Sequence, residues 1–148
     1  MRTRLLPLTG LVLGLGVTGL FAAEKKIQAK DLPPAVQKAV QEETKGATIK
    51  GYAKEVENGK TMYEVETTVN GHSRDLRFDA SGRLVEAEEV TTIAAVPAAV
   101  KTAFETRGKV LMVETVTKGK TVTYEAQIEK NGKKSEVAVN ADGKPLKP

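Results

Sequence analysis

The chain carries one pattern twice, and this internal repeat constrains the fold more than any other feature of the sequence. The segment NGHSRDLRFDASGRLV at 70–85 returns 61 positions later as NGKKSEVAVNADGKPL at 131–146. The segment before it, YEVETTVNG at 63–71, returns as YEAQIEKNG at 124–132. Because the order of the segments is the same in both copies, the chain after position 23 is predicted to form one supersecondary unit twice.

Residues 1–23 are typical of an export signal. Two arginines precede an apolar stretch at 5–21, and the small residues Ala22 and Ala23 stand before charged Glu24. We expect cleavage at this point and export to the periplasm or the medium. The alternative is a retained membrane anchor, which the glycines of the apolar stretch disfavour as a stable spanning helix.

Each copy opens with an amphipathic helix. LPPAVQKAV at 32–40 and VPAAVKTAF at 96–104 have prolines where a first helical turn tolerates them, and Gly46 and Gly108 stand where the helices are expected to end. The apolar residues recur at helical spacing. The predicted core stripes are Leu32, Val36 and Val40 in the first copy and Val96, Val100 and Phe104 in the second.

After each helix the apolar period changes from 3.6 to 2. Segments 48–56 and 61–69 are predicted strands joined near Asn58-Gly59, and Asn70-Gly71 is predicted to close a second hairpin by a type I′ turn. A two-residue turn fixes the register of the flanking strands. The predicted cross-strand pairs are Tyr63 with Phe78 and Val65 with Leu76 in the first copy, and Tyr124 with Val139 and Ala126 with Val137 in the second.

The next turn has the same chemistry in both copies. DASG at 79–82 and NADG at 140–143 place Asp or Asn first and Gly fourth, which predicts a type I turn with a left-handed glycine and a G1 bulge. The side-chain oxygens of these turns also suggest calcium, but a calcium site needs six to eight oxygens and each turn offers few. Turn geometry is therefore the favoured interpretation.

These elements predict an α+β fold of two tandem repeats, each a helix followed by four antiparallel strands. The helices are expected to pack on one face of the sheet and to leave the other in water. The predicted boundaries are 24–92 for the first repeat and 93–148 for the second, together forming one compact unit. The last strand, 144–147, contains Pro145 and is expected at an edge or a chain end.

Composition excludes several classes of function. The chain has no Cys and one His, which excludes disulfides and thiolate metal sites. Its formal net charge is +4 and its aromatic content 4%, with Lys and Glu interspersed, so that a nucleic-acid groove is not expected. No cofactor or metal site is predicted.

Catalytic constellations are equally scarce. His72 and Ser73 are neighbours on a predicted strand and therefore point to opposite faces, so they do not form a local nucleophile and base. His72 is expected to be solvated at a hairpin end. A pair of carboxylates for glycoside chemistry stays open, because sequence does not distinguish a raised-pKa acid from a solvated one.

The register places an unusual set of charges on the face away from the predicted core. The candidate partner-binding residues there are Glu64, Glu66, Asp75 and Arg77 in the first copy and Glu125 and Glu136 in the second, with Gln127 and Lys134 beside them. Glu66 is expected to face Asp75 directly, a pairing that costs some tenths of a kcal/mol. A basic partner would relieve this repulsion. The alternative is an ordinary solvated face in which Arg77 compensates Glu64.

The first copy contains Tyr63 and Val65, then Asn-Gly, then L-x-F-D-x-x-G-x-L from Leu76 to Leu84. In these residues it resembles the PepSY motif. The tandem arrangement is similar to PepSY-like proteins grouped with β-lactamase-inhibitor-like folds. The second copy departs from the motif at Asn140 and Pro145. The resemblance implies an exported, non-enzymatic module whose relatives include inhibitors or regulators of peptidases.

The function predicted from sequence is therefore protein binding through the open sheet face. The expected partner is another exported protein, such as a peptidase, which the module would inhibit or regulate. Contact with a membrane is expected only if the signal segment is retained. The alternative is a small-ligand or cation-binding envelope protein, which the scarcity of aromatic side chains disfavours.

Overall fold

The computed structural model describes residues 22–146, with the side chains of Ala22 and Ala23 left out. The predicted export signal, apart from its last two residues, lies outside this range. Within residues 22–146 eight antiparallel strands form one sheet, and their spatial order is their order along the chain. The strands are β1 (Ala22–Ile27), β2 (Thr48–Glu57), β3 (Lys60–Val69), β4 (His72–Asp79), β5 (Leu84–Thr91), β6 (Lys109–Lys118), β7 (Thr121–Lys130) and β8 (Lys133–Asn140). The α-helices are α1 (Pro34–Glu43) and α2 (Ala98–Glu105).

The helices form where the sequence predicts them. A proline with its fixed φ precedes each first turn, at Pro33 and Pro97. After α1 the chain turns at Gly46, whose φ of +78° is left-handed. Gly108 is different, because its φ is not left-handed. A Cβ there would lie 2.6 Å from the Glu129 carbonyl oxygen, so the close approach of β7 requires this glycine. No helix among the described residues is long and apolar enough to cross a membrane.

The predicted hairpin register is confirmed. Tyr63 pairs with Phe78 and Val65 with Leu76, and in the second copy Tyr124 pairs with Val139 and Ala126 with Val137. The turn residues Asn58, Asn70 and Asn131 all have positive φ, as a type I′ turn requires. The local turn chemistry therefore sets which side chains face the helices.

The glycine turns after β4 and β8 are also confirmed, with φ of +83° at Gly82 and +75° at Gly143. The structure adds a contact that the sequence did not show. A Cβ on Gly82 would lie 2.5 Å from the carbonyl oxygen of Ala35, and one on Gly143 would lie 2.5 Å from that of Ala99. Each turn therefore packs directly on the helix of its own repeat.

Each repeat has its own hydrophobic core between its helix and its strands. The first core comprises Leu32, Val36, Val40, Tyr63, Val65, Leu76 and Phe78, and the second comprises Val96, Val100, Phe104, Val113, Ala126, Ile128 and Val139. All six residues of the predicted helical stripes are buried, as predicted. Burying one such side chain contributes about 1.5–3 kcal/mol.

Strand β5 joins the two repeats. It pairs with β4 on one side and with β6 on the other. Thr91 of β5 faces Val113, and Ile27 of β1 faces Tyr52, the residue that corresponds to Val113 in the first repeat. β5 is therefore the last strand of the first repeat. It also lies beside the second repeat in the position that β1 occupies beside the first repeat. We call the β5–β6 junction the seam.

The prediction of four strands in each repeat is wrong for the second one. Of the predicted strand 144–147, the described residues form one isolated bridge, between Pro145 and Val139. Proline has no N–H to donate, and the hydrogen bond beyond it runs from the Leu146 N–H to the Ala138 carbonyl. Strand β1, before the first helix, was not predicted.

Candidate functional site

The face of the sheet opposite the helices carries the candidate site, and we call it the open face. Side chains alternate along a strand, so the neighbours of the core residues Val65 and Leu76 point to this face. They include Glu64, Glu66 and Asp75. Seven carboxylates of the open face form what we call the acidic cluster: Glu64, Glu66, Asp75, Glu88, Glu114, Glu125 and Glu136.

Like charges lie side by side within the acidic cluster. Glu66 pairs with Asp75, and Asp75 pairs with Glu88 on its other side, so three carboxylates stand in one row across β3, β4 and β5. In the second repeat Glu114 pairs with Glu125. Directly opposed like charges destabilise a sheet. Within residues 22–146 no member of the acidic cluster has an ion-pair partner within 4.0 Å.

Burial and mutual repulsion change the acidity of these groups. Partial burial raises the pKa of Glu64 to about 7, with further contributions from Glu24 and Asp75. Burial raises the pKa of Glu136 to about 7 as well, and its contact with Glu125 adds to the effect. Both groups therefore change charge near neutral pH.

The strongest effect lies at the seam. Burial, then the charge of Glu86 and contact with it, raise the pKa of Glu88 to about 8. Burial and Glu125 also raise the pKa of Glu114, and burial and Glu66 raise that of Asp75. The seam thus concentrates carboxylates that are costly to ionise.

Arg77 lies on the same face, but its guanidinium forms ion pairs within the chain. Its guanidinium contacts Glu55, lies 2.7 Å from Glu57 Oε2 and lies 3.5 Å from Glu86 Oε1. Lys118 Nζ also contacts Glu86, at 2.5 Å. Burial alone would raise the pKa of Glu86, but these two cations outweigh it and lower that pKa.

The predicted compensation of Glu64 by Arg77 is therefore wrong. The two residues are opposite in register, as expected, yet the Arg77 side chain turns to carboxylates of β2 and β5. The guanidinium contacts three other carboxylates instead of Glu64. Glu64 therefore has no ion pair in the described part of the chain. Of the six candidate residues, Arg77 alone has an ion-pair partner within residues 22–146.

The structure brings the other predicted residues into one cluster and adds two that the sequence analysis missed. Glu88 and Glu114 lie on β5 and β6, where the two repeats meet. Each directly follows an apolar residue, Ala87 or Val113, which was visible in the sequence. The pairing of β5 with β6 was not, because α2 separates these strands and no tight turn fixes their register.

The geometry gives less support to a metal site or a small-ligand site. Among the described residues no group of three or more His, Asp or Glu side chains is placed to hold a metal ion. His72 is exposed beside the Asn70-Gly71 turn, as predicted. Two depressions of about 490 and 200 Å³ lie near β1, β2 and α1, and no member of the acidic cluster lines them.

Comparison with known proteins agrees with the fold. Residues 21–86 and 61–146 match the model of a family described as "Putative beta-lactamase-inhibitor-like, PepSY-like". No curated protein matches the sequence significantly.

Three solved structures illustrate the structural similarity. A BLIP-like protein from Bacteroides fragilis superimposes with a TM-score of 0.60 at 23% identity, covering 78% of this chain and 84% of that one. A "putative periplasmic" protein from Bacteroides eggerthii gives 0.65 at 23%, covering 78% and 86%. A DUF2874 family protein from Bacteroides uniformis gives 0.63 at 22%, with the same coverage. At these identities the likeness shows the shared fold.

Proposed function

The chain belongs to the beta-lactamase-inhibitor-like, PepSY-like family, and on this premise we propose that it is an exported, non-enzymatic module that binds another exported protein. The family description reads "beta-lactamase-inhibitor-like", and a solved structure of the same fold is described as "putative periplasmic". Both support export and a binding role.

The observation that carries the proposal is the open face of the sheet. It runs across both repeats, the helices pack on the opposite side, and it bears the acidic cluster. Charged side chains without partners at the centre of a sheet face are a cost to folding that a bound protein would offset. We assign partner binding to Glu64, Glu66, Asp75, Glu125 and Glu136, with Arg77 as a structural neighbour that holds the adjacent carboxylates.

The mode of action that fits this surface is steric occlusion. A broad sheet face can cover the surface of an enzyme without entering a deep pocket, and electrostatic complementarity would speed its association. The resemblance to inhibitors suggests a peptidase or another envelope enzyme as the partner. On this proposal the protein inhibits or regulates by covering its partner.

The test is capture of a partner from an exported fraction by the immobilised mature chain, with identification by mass spectrometry. The variant Glu64→Lys/Glu66→Lys/Asp75→Lys should lose the retained protein. The matched control, Glu42→Lys/Glu43→Lys/Glu105→Lys, makes the same charge change at exposed helical positions and should keep it. Capture that survives the first variant and is unaffected by salt would contradict binding through the open face.

A further inference from the structure

The acidic cluster is densest at the seam, where it includes two residues that the sequence did not single out, Glu88 and Glu114. Four of its members lie on β4 to β7, the two strands of this junction and their outer neighbours, and we call them the seam carboxylates: Asp75, Glu88, Glu114 and Glu125. Glu88 repels Glu114 and Glu125, and Glu114 repels Asp75. The electrostatic interactions therefore cross from one repeat to the other.

The open face already holds cations that belong to its own chain. Arg77 lies among Glu55, Glu57 and Glu86 with its side chain 19% exposed, and Lys118 contacts Glu86 from the neighbouring strand. This network shows that a guanidinium can lie on this sheet between carboxylates of β2 and β5, and that an ammonium can contact a carboxylate of the neighbouring strand. The network reaches the seam at the Glu86–Lys118 pair, whereas among the described residues Glu88 and Glu114, farther along the same two strands, have no cation within 4.0 Å.

The surroundings of Glu88 decide the charge at the centre of the seam. The charged groups that face it from β4, β5, β6 and β7 are Asp75, Arg77, Glu86, Glu114, Lys118 and Glu125. The two cations among them are both engaged with Glu86. The electrostatic potential at Glu88 is therefore dominated by neighbouring carboxylates.

The spacing of the seam carboxylates suits a polypeptide. Four strands, from β4 to β7, span about 15 Å at the usual separation of neighbouring strands. An extended chain lying across them repeats its side-chain direction about every 7 Å, so three alternate residues cover a similar distance. A single metal ion would need its ligands gathered at one point, and the described residues offer no such group.

We propose that the seam carboxylates bind an extended cationic segment of a partner protein, with Lys or Arg at alternate positions. The proposal rests on the proposed function, because it names the chemistry of the partner that the open face would take. Charge complementarity favours this occupant, since each cation would meet two or more carboxylates that repel each other in the free protein. The contact centre is the seam, with Glu64 and Glu66 at its margin.

The test uses a defined probe, an acetylated and amidated heptapeptide with Thr and Lys alternating and Lys at three positions. A peptide with Gln in place of Lys is its neutral control. Binding is followed by NMR titration of the mature chain, and the largest shifts are expected in β4 to β7. The variant Glu88→Gln/Glu114→Gln/Glu125→Gln should weaken binding at least tenfold. The matched control, Glu42→Gln/Glu43→Gln/Glu105→Gln, should change it less than twofold.

A pH series separates the seam from general attraction to an acidic surface. Burial and Glu86 place the pKa of Glu88 near 8, so affinity for the Lys peptide should rise several-fold from pH 6 to pH 8.5. Solvated carboxylates are already ionised at pH 6 and would give no such rise. The single variant Glu88→Gln removes one charge with little change of shape and serves if the triple variant does not fold. It should reduce the rise to the part that Glu64 and Glu136, with pKa values of about 7, contribute.

The outcomes are distinguishable. If the Lys peptide binds no better than the Gln peptide, the proposal of a cationic partner segment is wrong. The proposed function would still stand if a neutral partner were captured in a way that depends on the open face. Binding that the seam variants do not weaken would overturn the seam as the contact. Capture from the exported fraction that is indifferent to every open-face variant would overturn the proposed function as well.

Discussion

The two repeats present nearly the same surface to their helices and different surfaces to solvent. On the helix side Tyr63 corresponds to Tyr124 and Val65 to Ala126, and each pair occupies the same register position. On the open face Arg77 corresponds to Ala138, while Glu55 corresponds to Val116. The backbone and the cores are therefore common to the repeats, whereas the ionic network that holds Arg77 belongs to the first repeat and the seam.

Some charges are nevertheless present in both repeats. Glu64 corresponds to Glu125 and Asp75 to Glu136, so carboxylates recur at two open-face positions despite the repulsion they create. Packing does not require them there, since they point away from the cores. The comparison teaches that the helix side specifies the fold and that the open face carries the features left for function.

The largest expected effect would break the equivalence of the two cores. Phe78→Ala in the first core and Phe104→Ala in the second each remove a fully buried ring and should lower the free energy of unfolding by about 3–5 kcal/mol. Because β5 is hydrogen-bonded to both repeats, we expect each variant to unfold in one transition. Urea titrations followed by circular dichroism and by amide exchange test this. Two separate transitions would mean that the repeats fold independently.

The second effect concerns the turns that pack on the helices. Gly82→Ala combines a left-handed φ with a clash against the Ala35 carbonyl, and should cost about 2–3 kcal/mol. Gly71→Ala has a similar φ but open space around the added Cβ, and should cost about 1 kcal/mol. Gly143→Ala and Gly132→Ala repeat the comparison in the second copy. Equal losses at Gly82 and Gly71 in thermal melts would show that the contact with the helix is unimportant.

Sequence reasoning was successful where local rules fix the structure. The Asn-Gly turns have two residues, so they determine the register of their hairpins and hence the face of Glu66 and Asp75. The helical stripes followed from spacing alone. In each case a residue and its near neighbours contain the physical cause.

Prediction from sequence failed where a structural feature depends on residues far apart in the chain. The seam depends on the pairing of β5 with β6, which tertiary packing sets and no turn residue encodes. The direction of Arg77 depends on carboxylates about 20 and 9 positions away, since Glu57 and Glu86 both reach its guanidinium. Strand register alone does not determine which of several possible partners a long side chain contacts. These are the two points on which the candidate site differs from its prediction.

A third prediction concerns the network that distinguishes the repeats. Arg77→Met leaves Glu55, Glu57 and Glu86 close together with one fewer cation, and should destabilise by about 1–2 kcal/mol at pH 8. The loss should be smaller at pH 5, because carboxylates that lose their cation become easier to protonate. Ala138→Leu changes the corresponding residue without touching an ion pair and serves as the control. A loss that is the same at both pH values would indicate that Arg77 acts through packing alone.

The smallest effect is the pH dependence of stability, and it sharpens the comparison between the repeats and the seam. The pKa of Glu64 and that of Glu136 are raised to about 7, and the pKa of Glu88 to about 8, from an ordinary value of 4.5. The folded protein then holds protons between pH 5 and 8 that the unfolded chain has lost, so the stability from these groups is complete below pH 4.5 and is lost as pH rises through 7 and 8. With solvent screening the loss should be about 1–2 kcal/mol between pH 6 and 8.5, measured by urea unfolding at constant ionic strength. Glu64→Gln and Glu136→Gln should flatten this dependence equally, and Glu88→Gln should flatten it more and at higher pH. Stability that increases over this range would show that the open face ionises without cost, and the electrostatic basis for partner binding at the seam would be lost.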